Sequence, residues 1–340
     1  RYLESLDPTK IYFSADDIAN YERYRSRLDD SLKNLDVSPA FEIFKTFRLR
    51  ADQRAAYATS ALASEFDFTK PESLPIRSDE SAWFETITEL ENYWHQRAKN
   101  DILNLKLSET QAEEILELLT ARYQRQADRV HQMVADDVFE IFMNAYSLEV
   151  EPHTSYFSKR SAENFRIRLS LSLEGIGAAL ETDLDYVVVN RVIAGGPADE
   201  SNEIHAEDRI VGVGQGALDG GETEDMINVI GWRLMDVVDM IRGPKGSTVR
   251  LEILPKDTPP GSAPELVELV RDKIKLEEQA AKRSDIEIQG ESGTRKMAVI
   301  SIPSFYSDFD ARAANEKDYR SSTRDVRNLL DDIEPGSVDG

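Results

Sequence analysis

The spacing of apolar residues changes once along this chain, and that change limits the fold more than any single motif does. Up to about Glu149 the apolar residues recur every three or four positions, the repeat of a helix with one buried face. Ile18, Tyr21, Leu28 and Leu32 keep that spacing, as do Trp83, Ile87, Leu90 and Trp94, and then Ile115, Leu118, Leu119, Tyr123 and Val130. Two start signals accompany them: Ser14 with Asp17 before the first run, and Ser108 with Gln111, read as a capping box before the third. After "EVEPHTSYFS" the period drops to two. In "RIRLSLSL", Ile167, Leu169, Leu171 and Leu173 alternate with Arg166, Arg168, Ser170 and Ser172, which predicts a half-buried strand. Further strands are predicted at "DYVVVNRVI", "DRIVGVGQ" and "TVRLEIL", with turns at "AGGPADES" and "GPKGS" and an amphipathic helix at "WRLMDVVDMIR". A helical block followed by short strands with two helices is an α+β arrangement, its second part a small, partly open β-barrel.

The remainder of the chain keeps the mixed character. "KDTPPGSAPE" reads as a surface loop, because "LVELVRDKIKL" resumes the strand pattern after it. A last unit starts with a strand at "KMAVISIPSFY" and continues into a helix at "YRSSTRDVRNLLDDIE". The expected organisation is therefore a helical domain over 1–150, a junction over 151–165, the small barrel over 166–256, and the beginning of a further domain over 257–340. A lone strand before "PGSVDG" has too few neighbours for a sheet, so the chain is expected to be a piece of a longer protein.

Composition narrows the chemistry. The 340 residues carry 64 Asp and Glu against 41 Lys and Arg, a formal charge of −23 with no basic run, which argues against a nucleic-acid partner. The absence of cysteine excludes disulfides, thiolate metal sites and a Cys nucleophile, and is compatible with an oxidising compartment. No apolar run is long enough for a transmembrane segment, and no signal peptide precedes the first helix; an export signal, if there was one, is expected to have been removed. His95, His131, His153 and His205 stand too far apart for a metal motif, and His153 reads as a structural polar residue. Neither G-x-S-x-G nor S-x-x-K occurs, and Ser304, with Lys296 upstream, reads as a turn residue. "GVGQGALDGG" and "GPKGST" have the wrong spacing for a phosphate loop, so no cofactor is expected.

That leaves "LEGIGAAL", residues Leu173 to Leu180. A dinucleotide fingerprint would need a third glycine at Leu180 and a helix, whereas the continuation here is strand-like. A Gly-flanked loop can instead turn several amide N–H groups into one concavity, and such a nest binds an anion. The strand after it can pair with an extended peptide whose terminal carboxylate sits in the nest. The peptide-binding residues expected on this reading are Gly175, Ile176, Gly177 and Ala178 on the loop and strand. Leu234, Val237, Val238 and Ile241 on the amphipathic helix would form the other wall, although some of these four must face the core.

The order "GIGA", "VVNRVIAGGPADES", "DRIVGVG", "VVDMIRGPKGSTVRLEIL" resembles a PDZ domain, in particular that of the bacterial C-terminal processing, or tail-specific, proteases. "EPHTSYF" resembles the family's D-P-H-x-x-Y-F element with Glu151 for the aspartate. "KMAVISIPSFY" resembles the first strand of its protease core, and "RYLESLDPTKIYFSADDI" the helical N-terminal region of its long periplasmic members. The resemblance implies a periplasmic serine endopeptidase with a Ser/Lys dyad and no metal or nucleotide. Its substrates would be proteins with apolar C-terminal tails, with room for an adaptor protein that delivers them. The family's D-x-R-x-N-x-G-G element, serine and lysine would lie beyond Gly340, so no catalytic residue is assigned and the chain alone is expected to be inactive. A second reading, from another class, is a non-catalytic PDZ adaptor or scaffold. A strand, a Gly-rich segment, a serine and a downstream lysine following Gly340 would separate the two.

Overall fold

The computed structural model describes residues 1–216, 225–259, 261–290, 293–317, 319–334 and 336–338. The "GVGQGALDGG" stretch from Ala217 onward lies outside the described residues, as do Pro335, Asp339 and Gly340 of "PGSVDG". The chain divides into two compact units, Arg1–Arg160 and Ser161–Gly340. Among the described residues no helix is long and apolar enough to cross a membrane.

The first unit is helical: α1 (Tyr2–Leu6), α2 (Ala15–Tyr21), α3 (Leu28–Lys33), α4 (Ser38–Ala61), α5 (Ile87–Leu107), α6 (Ala112–His131) and α7 (Ala135–Val150). Ala55 and Ala58 of α4 close on Leu90 and Trp94 of α5 and Leu119 and Tyr123 of α6, while Tyr2, Phe13, Phe44, Phe47 and Phe142 form a second apolar cluster. The α1–α2 connection is held by a buried carboxylate. Asp7 accepts from the N–H groups of Ile11, Tyr12 and Phe13, and the Ile11 carbonyl accepts from the Trp94 indole at 2.8 Å. Burial pushes the Asp7 carboxyl above its ordinary value, against the pull of those N–H groups.

Ser14 and Asp17 form the capping box that starts α2. Ser108 does something else: it ends α5, donating to the Asn104 carbonyl at 3.1 Å, and α6 starts from Gln111 with no side-chain cap. Trp83 lies before α5, whose cap is Thr86, and its ring meets Phe13 at 6.1 Å, so it does not share the α5 face with Leu90 and Trp94.

The next element, α8 (Lys159–Ser170), begins two residues before the second unit and is a helix where alternation predicts a strand. The alternating run is short and sits behind "KRSAEN", whose long-chain and alanine residues favour helix. Ser161, Asn164, Ile167 and Ser170, three apart, form its half-buried face. Only after Leu171, in the left-handed region at φ 49°, does the chain extend into β1 (Ser172–Gly175).

There follow β2 (Ala178–Asp183), β3 (Tyr186–Val192), α9 (Pro197–Ser201), β4 (Arg209–Gln215), β5 (Ile227–Asn228), α10 (Leu234–Ile241) and β6 (Thr248–Leu254). The antiparallel sheet runs β2-β3-β4-β6-β7, with β5 paired to β4. Its last strand, β7 (Glu265–Val270), carries the sheet past the boundary expected at 256. Val187, Val189, Ile210, Val213, Leu251 and Ile253 supply the strand side of the core. β8 (Asp272–Lys275) pairs with β1, so the strand leaving the main sheet supports the one that enters the "GIGA" loop. The expected strand at "KMAVISIPSFY" is β10 (Gly293–Ser301). It forms a hairpin with β9 (Lys282–Gly290), and α11 (Phe309–Ala313) and α12 (Ser322–Asp331) follow.

Candidate functional site

The site is built on the two-residue passage, Ile176 and Gly177, from β1 to β2. Gly177 has φ +77°, the left-handed region that side chains disfavour, and a Cβ there would stand 3.1 Å from the Gly196 Cα and 3.3 Å from the Ile274 Cδ1. Two glycine backbones thus pass at contact distance, which fixes the loop against the "AGGPADES" turn. The Ile176 carbonyl accepts from the Ala198 N–H and the Gly177 carbonyl from the Ile193 N–H, both at 2.8 Å. With both carbonyls engaged, the N–H groups of Ile176 and Gly177 have no acceptor among the described residues. Free amides on a rigid glycine loop favour an anion at that spot.

The strand leaving this loop is an edge. Among the described residues β2 pairs with β3 alone, and α10 packs beside it. The two run in opposite directions, as contacts at each end fix. At the loop end, the position of a Cβ on Gly175 lies 3.9 Å from the Cγ of Arg242, just past α10; at the far end the Gly231 N–H donates to the Asp185 carbonyl at 2.7 Å. Arg242 also donates to the Asn164 side chain at 2.8 Å, and burial pulls its pKa down.

The helix divides the four apolar residues expected to line a wall. Val237, fully buried, and Ile241 belong to the core under the sheet. Leu234 and Val238, one turn apart, are half-buried. Leu234 reaches the edge of the core, and Val238 is not part of that cluster. On the opposite wall the Ile176 side chain is also in the core, so this residue offers its backbone only, while Ala178 and Leu180 are half-buried along β2. The loop residues Gly175, Ile176, Gly177 and Ala178 are thus brought together with Leu234 and Val238. Val237 and Ile241 are turned away.

A residue without any motif holds the helix in place. Arg271, between β7 and β8, is buried and donates to the Ile241 and Met240 carbonyls at the end of α10. Its other donors reach the Gln215 side chain, the Ser247 hydroxyl and the Thr248 carbonyl. These five bonds tie α10 to β4 and to the start of β6, and set where the helix wall stands. A lone arginine in "LVRDKIKL" carries no such signal. The helix-terminal carbonyls it satisfies would be the earliest clue, because a helix end without a cap needs a donor from elsewhere.

"EPHTSYF" forms a bonded turn. The Glu151 carboxylate accepts from the Thr154 hydroxyl and the His153 N–H, which hold its pKa low, and the Asn144 side chain brackets the backbone of Tyr156. Ser304 is exposed, and the Lys296 ammonium lies 3.7 Å from Glu287 across the β9–β10 hairpin.

Comparison with known proteins gives two family matches: the tail specific protease N-terminal domain over residues 1–160 and the PDZ domain over residues 166–254. A tail-specific protease of Haemophilus influenzae is 39% identical over 307 residues, 90% of this chain and 42% of that protein. The carboxy-terminal processing protease CtpA of Bacillus subtilis is 31% identical over 103 residues, 30% of this chain and 20% of that protein. The chain thus spans less than half the length of these curated relatives. Among solved structures, the PDZ domain of a carboxy-terminal protease from Vibrio cholerae, in complex with a peptide, is 48% identical. It covers 31% of this chain and 99% of its own length, with a TM-score of 0.28. The photosystem II D1 C-terminal processing protease is 18% identical over 62% of this chain and 51% of its own, with a TM-score of 0.29.

Proposed function

This chain belongs to the tail-specific protease family, and from that membership we propose that its PDZ domain captures the C-terminal tails of substrate proteins for a longer serine endopeptidase of which it is the recognising part. The observation that carries the proposal is a free edge strand, β2, headed by two unpaired amides and walled by an amphipathic helix. A tail adds to β2 as an extra antiparallel strand, its main chain supplying affinity and its alternate side chains specificity. The carboxylate enters the loop at Ile176 and Gly177, at the end of the strip where the Arg242 Cγ meets the Gly175 position. Because the carboxylate must lie at the start of β2, the chain direction of the tail is fixed.

Side chains facing α10 recur every second residue, about 6.6 Å apart, while Leu234 and Val238 are four helical residues, about 6 Å, apart. The last side chain therefore lies over Val238 and the one two positions earlier over Leu234, which favours apolar tails. Cleavage by the whole protein is assigned to the Ser/Lys dyad that the family resemblance implies, whose lysine must be neutral to take the serine proton. Tail binding gates that step if it favours one arrangement of the PDZ domain, with hinges in segments 149–158 and 275–282. The location proposed is the periplasm.

Binding of labelled C-terminal peptides to the chain, in free-acid and amidated forms, tests the recognition step. Free-acid tails should bind at least about tenfold more tightly, since bonds to a charged acceptor contribute roughly 1.5–3 kcal/mol. Equal binding of the amidated forms would remove the carboxylate from the account.

A further inference from the structure

Beyond Leu234 the strip between β2 and α10 runs on to a second apolar surface. The turn that ends β2 presents Leu184, 62% exposed and held at φ 52°, and the segment leading into α10 presents Ile230 and Trp232, 40% and 42% exposed. The bond from the Gly231 N–H to the Asp185 carbonyl joins these two segments, so both stand at the same end of the strip, away from the carboxylate loop. The Trp232 N–H in turn donates to the Val229 carbonyl at 3.1 Å, and the Val229 side chain is fully buried, so the tryptophan is carried on a fixed backbone.

We infer that Trp232, with Leu184 and Ile230 around it, is a subsite for an apolar side chain four positions before the end of the tail. The inference rests on the tail-binding reading and extends it. A strand added antiparallel to β2 turns its last residue and those two and four positions before it to the helix side, and each step of two advances it about 6.6 Å. The first two meet Val238 and Leu234. The third passes the start of the helix and reaches the tryptophan, whose large, rigid ring gains contact area at low entropic cost. The occupant is the same tail, because the surface continues the strip between β2 and α10. A tail is thus read over about five residues instead of three.

The test is the affinity of the 340-residue chain for three free-acid peptides: a four-residue tail, and two six-residue tails with Leu or Ser four positions before the end. The Leu tail should bind roughly tenfold more tightly than the Ser tail. Trp232→Ala should abolish that difference and leave the four-residue tail within about twofold; Leu184→Asn, which suits the left-handed turn, should reduce the difference in part. Equal affinity of the Leu and Ser tails for the unaltered chain overturns the inference. So does a Trp232→Ala variant that loses the four-residue tail as severely as the Leu tail. Should none of the three bind, the tail-binding reading fails as a whole, and that result is distinct from a missing subsite.

Discussion

Gly177 is the residue on which most of the site turns. Its φ of +77° is open to glycine and strained for a residue with a β-carbon, and the space a Cβ would need is held by the Gly196 backbone and the Ile274 side chain. A Gly177→Val substitution therefore forces the loop apart from the turn that pins its carbonyls, at a cost of about 1–3 kcal/mol in backbone strain alone. Expected is a tail affinity lowered by tenfold or more and a melting temperature lowered by a few degrees, about what that strain produces in a domain of this size. Peptide titration together with thermal unfolding checks both, and unchanged tail binding would separate the loop from recognition. A turn into a strand was legible here, in the glycine pair and the strand-like residues that follow it. Arg271 was not. Its five bonds exist only once α10, β4 and β6 have been brought together, and no local pattern announces a contact between residues that far apart in the chain.

α10 shows where pattern reading stops. Leu234, Val237, Val238 and Ile241 are all apolar, so the stripe is broad enough to cover both a core face and a binding face, and its rotation is set by packing and by Arg271. The structure places Val237 in the core and Val238 outside that cluster, which predicts opposite outcomes for neighbouring truncations. Val237→Ala should destabilise the unit by about 2 kcal/mol, through lost burial and an incompletely closed cavity, with tail affinity preserved once the unit is folded. Val238→Ala should leave stability within about 0.5 kcal/mol and weaken tails ending in a large apolar residue roughly fivefold. Chemical denaturation and peptide titration of the two variants give the comparison, and identical behaviour would mean that the assigned rotation is wrong. α8 fails for a related reason. Four alternating apolar residues satisfy a strand template, yet the helix-favouring "KRSAEN" ahead of them propagates through Ser170, and only the residues after Leu171 find a strand partner in β8. The β3, β4 and β6 strands were legible because their apolar residues are mostly the β-branched Val and Ile, and because β3 ends and β6 starts at a glycine-containing turn.

At the scale of the whole molecule the charge works against the ligand. The chain carries −23, with acidic residues in excess in both units, while the proposed nest offers neutral amides and a single guanidinium to a carboxylate. On the proposed reading Arg242, whose stem stands beside Gly175 and which is partly buried, acts at short range, where dissolved ions screen it little. The net charge acts at range, where the Debye length of about 10 Å at 0.1 M decides what an approaching tail feels. Two effects of opposite sign are thus separated by distance, and salt removes the repulsive one first. The association rate of a tail whose only charge is its terminal carboxylate should rise about two- to threefold between roughly 20 and 200 mM salt, with little change in dissociation rate. An amidated tail of the same sequence should show no such rise, and tails with lysines upstream of the last five residues should associate faster at low salt and lose that advantage as salt increases. Stopped-flow fluorescence with labelled peptides measures all three. A free-acid association rate that falls with salt would mean that the field at the groove is positive, so that Arg242 and the lysines near β8 outweigh the acidic excess at the distances where encounter is decided.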